Sequence, residues 1–157
     1  MEVSVRFVEG MTFFGRGPSN HLVVMDGAPE VGGQNAGSRP MELLLMALGG
    51  CTGMDVVSIL RKRRIRVDDF RMVLRGDRQA EHPRKFTRIE IEYIFRGDNL
   101  EAHEKAIRDT VALSQDRYCS VSASLRPQVE VTYRITLLPR EEGAPAPGTP
   151  APGNSNS

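Results

Sequence analysis

The chain has 157 residues, with 21 lysines and arginines against 20 aspartates and glutamates and a formal net charge of +1. That length suits about one domain with a real core. The even charge balance removes the electrostatic case for a nucleic-acid or acidic-membrane partner. The first residues, Met1-Glu2-Val3-Ser4-Val5-Arg6-Phe7, alternate and carry charge, unlike a secretory signal, so a soluble cytoplasmic protein is expected. In such a reducing compartment its two cysteines are not expected to form a permanent structural bridge.

Alternation at Val3, Val5 and Phe7, then around Met11-Thr12-Phe13-Phe14, then at His21-Leu22-Val23-Val24-Met25, predicts three short strands broken by Gly-rich turns. Residues 26–37, rich in Gly, Pro and Asn, read as a loop. A long helix follows over 38–60, opened by Ser38 and a first-turn Pro40 and closed by Arg61-Lys62-Arg63-Arg64, cations suited to a helix carboxyl end. Its longest uncharged run, Leu43 to Met54, is short of the ~20 residues a membrane span needs. Leu43, Leu44, Leu45, Met46, Ala47 and Leu48 point all round the axis. A two-layer fold covers a helix on one side only, so a homodimer is expected to cover the other.

Phe70, Met72 and Leu74 alternate as a fourth strand, and Ile89, Ile91, Tyr93 and Phe95 as a fifth with a wet opposite face. Asp98 or Asn99 is expected to cap a second helix running to about Gln115, and Val129, Val131, Tyr133, Ile135 and Leu137 form the last strand. The reading is α+β, in the order β-β-β-α-β-β-α-β, with mostly antiparallel pairing. Residues 1–138 make the domain, and the Pro/Gly/Ala/Ser/Asn-rich stretch 139–157 is expected to be disordered.

Cys51 lies mid-helix after Gly49-Gly50, and Cys119 follows the second helix. A free cysteine is most often a small buried hydrophobe. His21, His82 and His103 have no ligand spacing with each other or with either cysteine, and there is no CxxC, so neither a metal nor a cofactor is expected. Arg61 to Arg64 read as a solvated helix end, His21 as a strand-edge residue or a partner for Asp26, and His82-Pro83 as a turn.

Pro40 followed eleven residues later by Cys51, within Pro-Met-Glu-Leu-Leu-Leu-Met-Ala-Leu-Gly-Gly-Cys, resembles the first motif of the OsmC/Ohr family. Arg117-Tyr118-Cys119-Ser120-Val121-Ser122 resembles the second, where many members carry Cys-Pro-x-Ser. The resemblance covers roughly residues 1–138, and details such as Met-Asp-Val-Val-Ser-Ile-Leu after Cys51 are nearest the YhfA-like branch. It implies an entwined dimer with two long helices buried against antiparallel sheets. It also implies a cofactor-free thiol peroxidase for organic hydroperoxides, and for hydrogen peroxide as well. In such a reaction Cys51 attacks the O–O bond, its sulfenic acid condenses with Cys119, and a dithiol, often lipoyl-linked, reopens the disulfide. Leu and Met faces of the helix with Phe13 or Phe14 would wall the organic group.

Two departures from the family pattern bear on activation. The carboxylate that orients the activating arginine follows the motif proline directly in peroxidatic members. Here that position is Met41, and the acid is Glu42, half a turn out of phase with Cys51 on a straight helix, so a distortion at Gly49-Gly50 or use of the partner's site would be needed. As a first-turn acid Glu42 equally suits the helix dipole. Asp55, one turn beyond Cys51, works against a thiolate unless an arginine lies between them. Arg16, in a Gly-flanked loop, is the first candidate, with Arg39 and Arg117 behind it. The site set is thus Cys51, Cys119, Arg16 and Glu42. The competing reading is an OsmC-like dimer without peroxidase activity that binds a small apolar ligand or senses redox state.

Overall fold

The structure, a computed structural model, describes residues 1–141 and is α+β with two three-stranded sheets. It divides into two compact units, residues 1–47 and the remainder.

In the amino-terminal unit β1 (Ser4–Glu9), β2 (Thr12–Arg16) and β3 (Leu22–Met25) form the expected antiparallel meander. Gly10 takes the left-handed conformation the tight β1–β2 turn needs (φ +55°), and the register slips between Phe7 and Glu9. Loop 26–37 is organised by Asp26, whose buried carboxylate accepts the N–H groups of Gly27 (2.7 Å), Gln34 (3.0 Å) and Ala36 (3.0 Å). The Ala36 N–H foremost, opposed by burial, holds that carboxyl below its ordinary range. Asp26 is therefore a loop clamp. His21 is exposed and not among its hydrogen-bond partners.

Helix α1 (Pro40–Lys62) runs unbroken through Gly49-Gly50. Its start differs from the Ser38 expectation. Ser38 pairs in parallel with Met25 and accepts the Asp26 N–H (3.3 Å), so its backbone serves β3. The Arg39 carbonyl takes the first helical bonds, and Glu42 reaches back to the Arg39 N–H (3.0 Å) as half of a capping box. At the other end Arg64 occupies the left-handed position usual for glycine (φ 57°), and Ile65 N–H closes onto Leu60 O (3.1 Å). By length and composition α1 passes for a membrane span, contrary to a count of its uncharged run alone. Of its most apolar window, 33% is buried.

In the carboxy-terminal unit Leu48, Thr52, Val56 and Leu60 recur every four residues and are buried. Gly49 and Gly53 on the same side let α1 approach β4 (Asp69–Arg78) closely. A Cβ on Gly49 would meet Leu74 Cδ1 at 3.0 Å, and one on Gly53 would meet Met72 Cε at 2.6 Å. Met54, on the far side, is 74% exposed. Within one chain the helix is thus covered along a stripe, not all round.

Strand β5 (Phe86–Arg96) is central, and Ile89, Ile91, Tyr93 and Phe95 are completely buried. Phe70 stacks on Phe95 with ring centroids 4.6 Å apart. β4–β5 is antiparallel, but β5 pairs with β6 (Glu130–Leu138) in parallel, which corrects the antiparallel expectation for this sheet. The cause is the connection: residues 97–129 form a helical crossover, long enough to return the chain to the starting edge and run it in the same direction. That crossover begins with a 3₁₀ turn at Leu100–His103 and continues as α2 (Glu104–Leu113), a π turn over Ser114–Tyr118 and a short α3 (Ser120–Leu125). Neither Asp98 nor Asn99 caps α2. Its amino end is His103, without a side-chain cap, because the 3₁₀ turn intervenes.

Of the segment expected to be disordered, Pro139–Glu141 are described. Arg140 pairs there with Asp68 (2.9 Å) and Asp98 (2.7 Å). Residues 142–157 lie outside the described residues.

Candidate functional site

The site is built on three elements of the carboxy-terminal unit. Cys51 and Asp55 lie one turn apart on α1 and so share a face. The π turn closes with Cys119 N–H on Ser114 O (2.9 Å) and delivers Cys119 as the amino-terminal cap of α3, its sulfur accepting the Ser122 N–H (3.4 Å). The two sulfurs and an Asp55 carboxylate oxygen all lie within 4.8 Å of one another. Both cysteines are free thiols. Cys51 is half-buried, and Cys119 is 3% exposed. The two predicted cysteines therefore meet, although 67 residues separate them in the chain.

Burial foremost pushes the Cys119 thiol above its ordinary value. Cys51 and the Asp55 charge add to that push, and the Ser122 N–H opposes it. Cys119 is consequently a protonated thiol at neutral pH, and Cys51 is the sulfur a solute reaches first.

Behind the sulfurs runs a hydrogen-bonded network that sequence reading missed. Tyr93 Oη and Thr52 Oγ1 are 2.6 Å apart, Thr52 Oγ1 and Ser114 Oγ 2.8 Å, and Ser114 Oγ and Asp55 Oδ2 3.0 Å. Gln115 Nε2 donates to both Tyr93 Oη (2.7 Å) and Thr52 Oγ1 (3.1 Å), and Ser122 Oγ donates to Gln115 Oε1 (3.2 Å). An ionised carboxylate only accepts, and each hydroxyl has one proton, so the donors are assigned in one direction: Tyr93 to Thr52, Thr52 to Ser114, Ser114 to Asp55. Thr52, Tyr93, Ser114, Gln115 and Ser122 are all buried. The available signal was polar residues (Thr52 beside Cys51, Ser114-Gln115 ending an amphipathic helix) at positions where apolar periodicity places the core.

The remaining predicted residues have their own local partners. Glu42 is held at the start of α1, bonded to the Arg39 N–H and paired with its guanidinium (3.1 Å), with the Arg39 N–H foremost in lowering its carboxyl below the ordinary range. Arg39 also donates to Asn35 (3.3 Å). Arg16 ends β2, exposed, opposite Ser4 and Leu22. Arg117 is exposed on the π turn. Phe13 packs edge-on to Phe7 with centroids 5.5 Å apart. Arg63, read as part of a solvated end, donates to Ala106 O (2.8 Å) and so ties α1 to α2.

Two open grooves flank α1 in this unit. One of about 410 Å³ runs from Asp55 along Ile59, Leu113 and Tyr118 to Lys62 and Arg63. Another of about 730 Å³ is lined mostly by apolar atoms of Gly53, Met54, Val57, Phe70 and Met72.

The sequence model of OsmC-like proteins matches residues 33–134. Protein YhfA of Escherichia coli K12 is 43% identical over 141 residues, covering 88% of this chain and 98% of that protein. The crystal structure of a hypothetical protein from Aquifex aeolicus VF5 superposes with a TM-score of 0.76 at 33% identity, covering 89% of this chain and 97% of the other. An organic hydroperoxide resistance protein OsmC from Legionella pneumophila shares the fold at 14% identity and a TM-score of 0.61, covering 87% and 97%. With the family model spanning both cysteine motifs and a relative this similar over nearly its full length, the chain belongs to the OsmC-like protein family.

Proposed function

We propose that this protein is a thiol peroxidase that reduces organic hydroperoxides in a reducing, cytoplasmic setting. The observation that carries the reading is the approach of Cys51 and Cys119, one half-buried and one buried, within 4.8 Å in a family linked to organic hydroperoxide resistance. The Cys51 thiolate attacks the distal oxygen and becomes a sulfenic acid as the alcohol leaves. The Cys119 thiol then displaces water from that sulfenic acid to form the disulfide, and an external dithiol, such as a lipoyl group, reduces it. Arg16 is assigned as the donor for the leaving oxygen, in keeping with the family's arginine. Glu42 keeps the two assignments the sequence offers, the carboxylate that orients the arginine and the acid that completes the start of α1, where its oxygens are engaged by Arg39.

The reading includes a homodimer. Val5, Phe7, Leu22 and Val23 of the amino-terminal sheet are exposed, as are Met46 and Met54 of α1, apolar side chains that a second copy would cover.

The test adds one equivalent of an organic hydroperoxide to the reduced protein and counts free thiols by mass spectrometry. Loss of both thiols with a Cys51–Cys119 linkage is expected, and in Cys119→Ser a sulfenic acid should persist at Cys51. Unchanged thiols at neutral pH would favour the second reading, a non-peroxidatic OsmC-like protein binding a small apolar ligand. That reading draws on Asp55, an anion beside the sulfurs, and on the apolar groove of about 730 Å³.

A further inference from the structure

We propose that Cys51, Asp55 and Cys119 form a binding site for a thiophilic divalent cation, Zn²⁺ by its chemistry. Sequence spacing concealed it, because the three residues belong to no CxxC and involve no histidine. Two come from one face of α1 and the third from the cap of α3. Their ligand atoms lie within 4.8 Å of one another. Around a tetrahedral zinc, ligand atoms stand roughly 3.3–3.8 Å apart, given Zn–S near 2.3 Å and Zn–O near 2.0–2.2 Å. Closing the site on a cation therefore requires side-chain rotation, for which half-buried Cys51 and Asp55 have room. Two sulfurs with one carboxylate select zinc over magnesium or calcium, which prefer oxygen.

The surroundings supply what bare proximity does not. Two of the three ligands already carry an outer hydrogen bond that orients them: Ser122 N–H on the Cys119 sulfur (3.4 Å) and Ser114 Oγ on Asp55 Oδ2 (3.0 Å). Ser114 is itself held by Thr52 Oγ1 (2.8 Å), which the buried Tyr93 and Gln115 hold in turn. Among the described residues of this unit no lysine, arginine or histidine forms an ion pair with Asp55. All the ion pairs recorded there involve other acids. The cluster therefore presents three potential anions whose carboxylate has no ion-pair partner among the described residues of this unit, an arrangement a divalent cation completes. Three protein ligands leave a fourth tetrahedral position for water or solute. A bound cation and a disulfide are alternative uses of the same two sulfurs.

The experiment is a titration of the reduced full chain with Zn²⁺ against a chromophoric chelator, with Co²⁺ as a spectroscopic reporter of tetrahedral thiolate ligation. One Zn²⁺ per chain is expected, with micromolar or tighter affinity, and both cysteines should become protected from alkylation. Asp55→Asn, which keeps both thiols and the shape of the side chain, should weaken Zn²⁺ by about tenfold or more while retaining the cobalt–thiolate band. Cys119→Ser should abolish the band. Binding weaker than about 10 μM, one metal shared between two chains, or an affinity unchanged in Asp55→Asn would overturn the site. The titration contains no peroxide, so its failure is separate from a failure of the peroxidase reading.

Discussion

Tyr93 begins the series of hydroxyls that ends at Asp55, and its place there follows from burial. Desolvation pushes its hydroxyl up to about 12, so it remains a neutral donor across the working pH range. Replacing Tyr93 with Phe removes the proton Thr52 accepts and one acceptor for Gln115. A loss of about 1–3 kcal/mol is expected, the usual consequence of leaving buried polar groups unpaired, and urea unfolding of the reduced protein measures it. At this scale the cysteines were legible through resemblance, whereas Thr52, Ser114 and Gln115 were not. A threonine or glutamine in a sequence does not disclose whether its partner lies in solvent or 41 or 63 residues away in the core.

At the scale of elements, α1 shows one of the two roles that the sequence offers for Glu42. The helix is continuous through Gly49-Gly50, so no distortion alters the phase of its residues, and the Glu42 carboxylate completes the start of the helix. Glu42→Gln is accordingly expected to lower the melting temperature followed by circular dichroism. It should leave the rate of the first peroxide turnover within about threefold of the parent chain, less than 1 kcal/mol in the barrier. A much larger loss of rate would assign Glu42 to the chemistry. The π turn has the opposite history. No residue pattern announced it, yet by widening one turn it brings Ser114 and Gln115 inward and turns Cys119 toward α1. The parallel β5–β6 pairing was legible in principle, since a long connection carrying a helix between two strands is a crossover and not a hairpin.

For the whole molecule the exposed apolar surface and the charge ladder on the outer face of the second sheet lead to separate expectations. Glu92 accepts from Arg134 (2.7 Å), Thr136 (3.2 Å) and Arg75 (3.3 Å). The Arg134 bond foremost lowers its pKa from 4.5 to about 2. A depressed carboxylate stabilises the fold above its unfolded value and loses that contribution as pH falls through the folded one. Stability should therefore decline between about pH 4.5 and 2, and Glu92→Gln should flatten that part of the profile in urea titrations. Sedimentation should give twice the chain mass for the parent protein, and Met54→Glu, placing a charge on an exposed face of α1, should shift it toward the monomer. A parent chain that sediments as a monomer would remove the dimer from the reading.

Alone, the sequence determined the strands, the long helix and the family, because periodicity and motif spacing are local properties written in consecutive residues. Only the tertiary structure decided the meeting of Cys51, Asp55 and Cys119, the hydroxyl series behind them and the direction of the last strand. Each of those depends on how distant segments are brought together, and that is fixed by crossover geometry and by the close approach of α1 to its sheet.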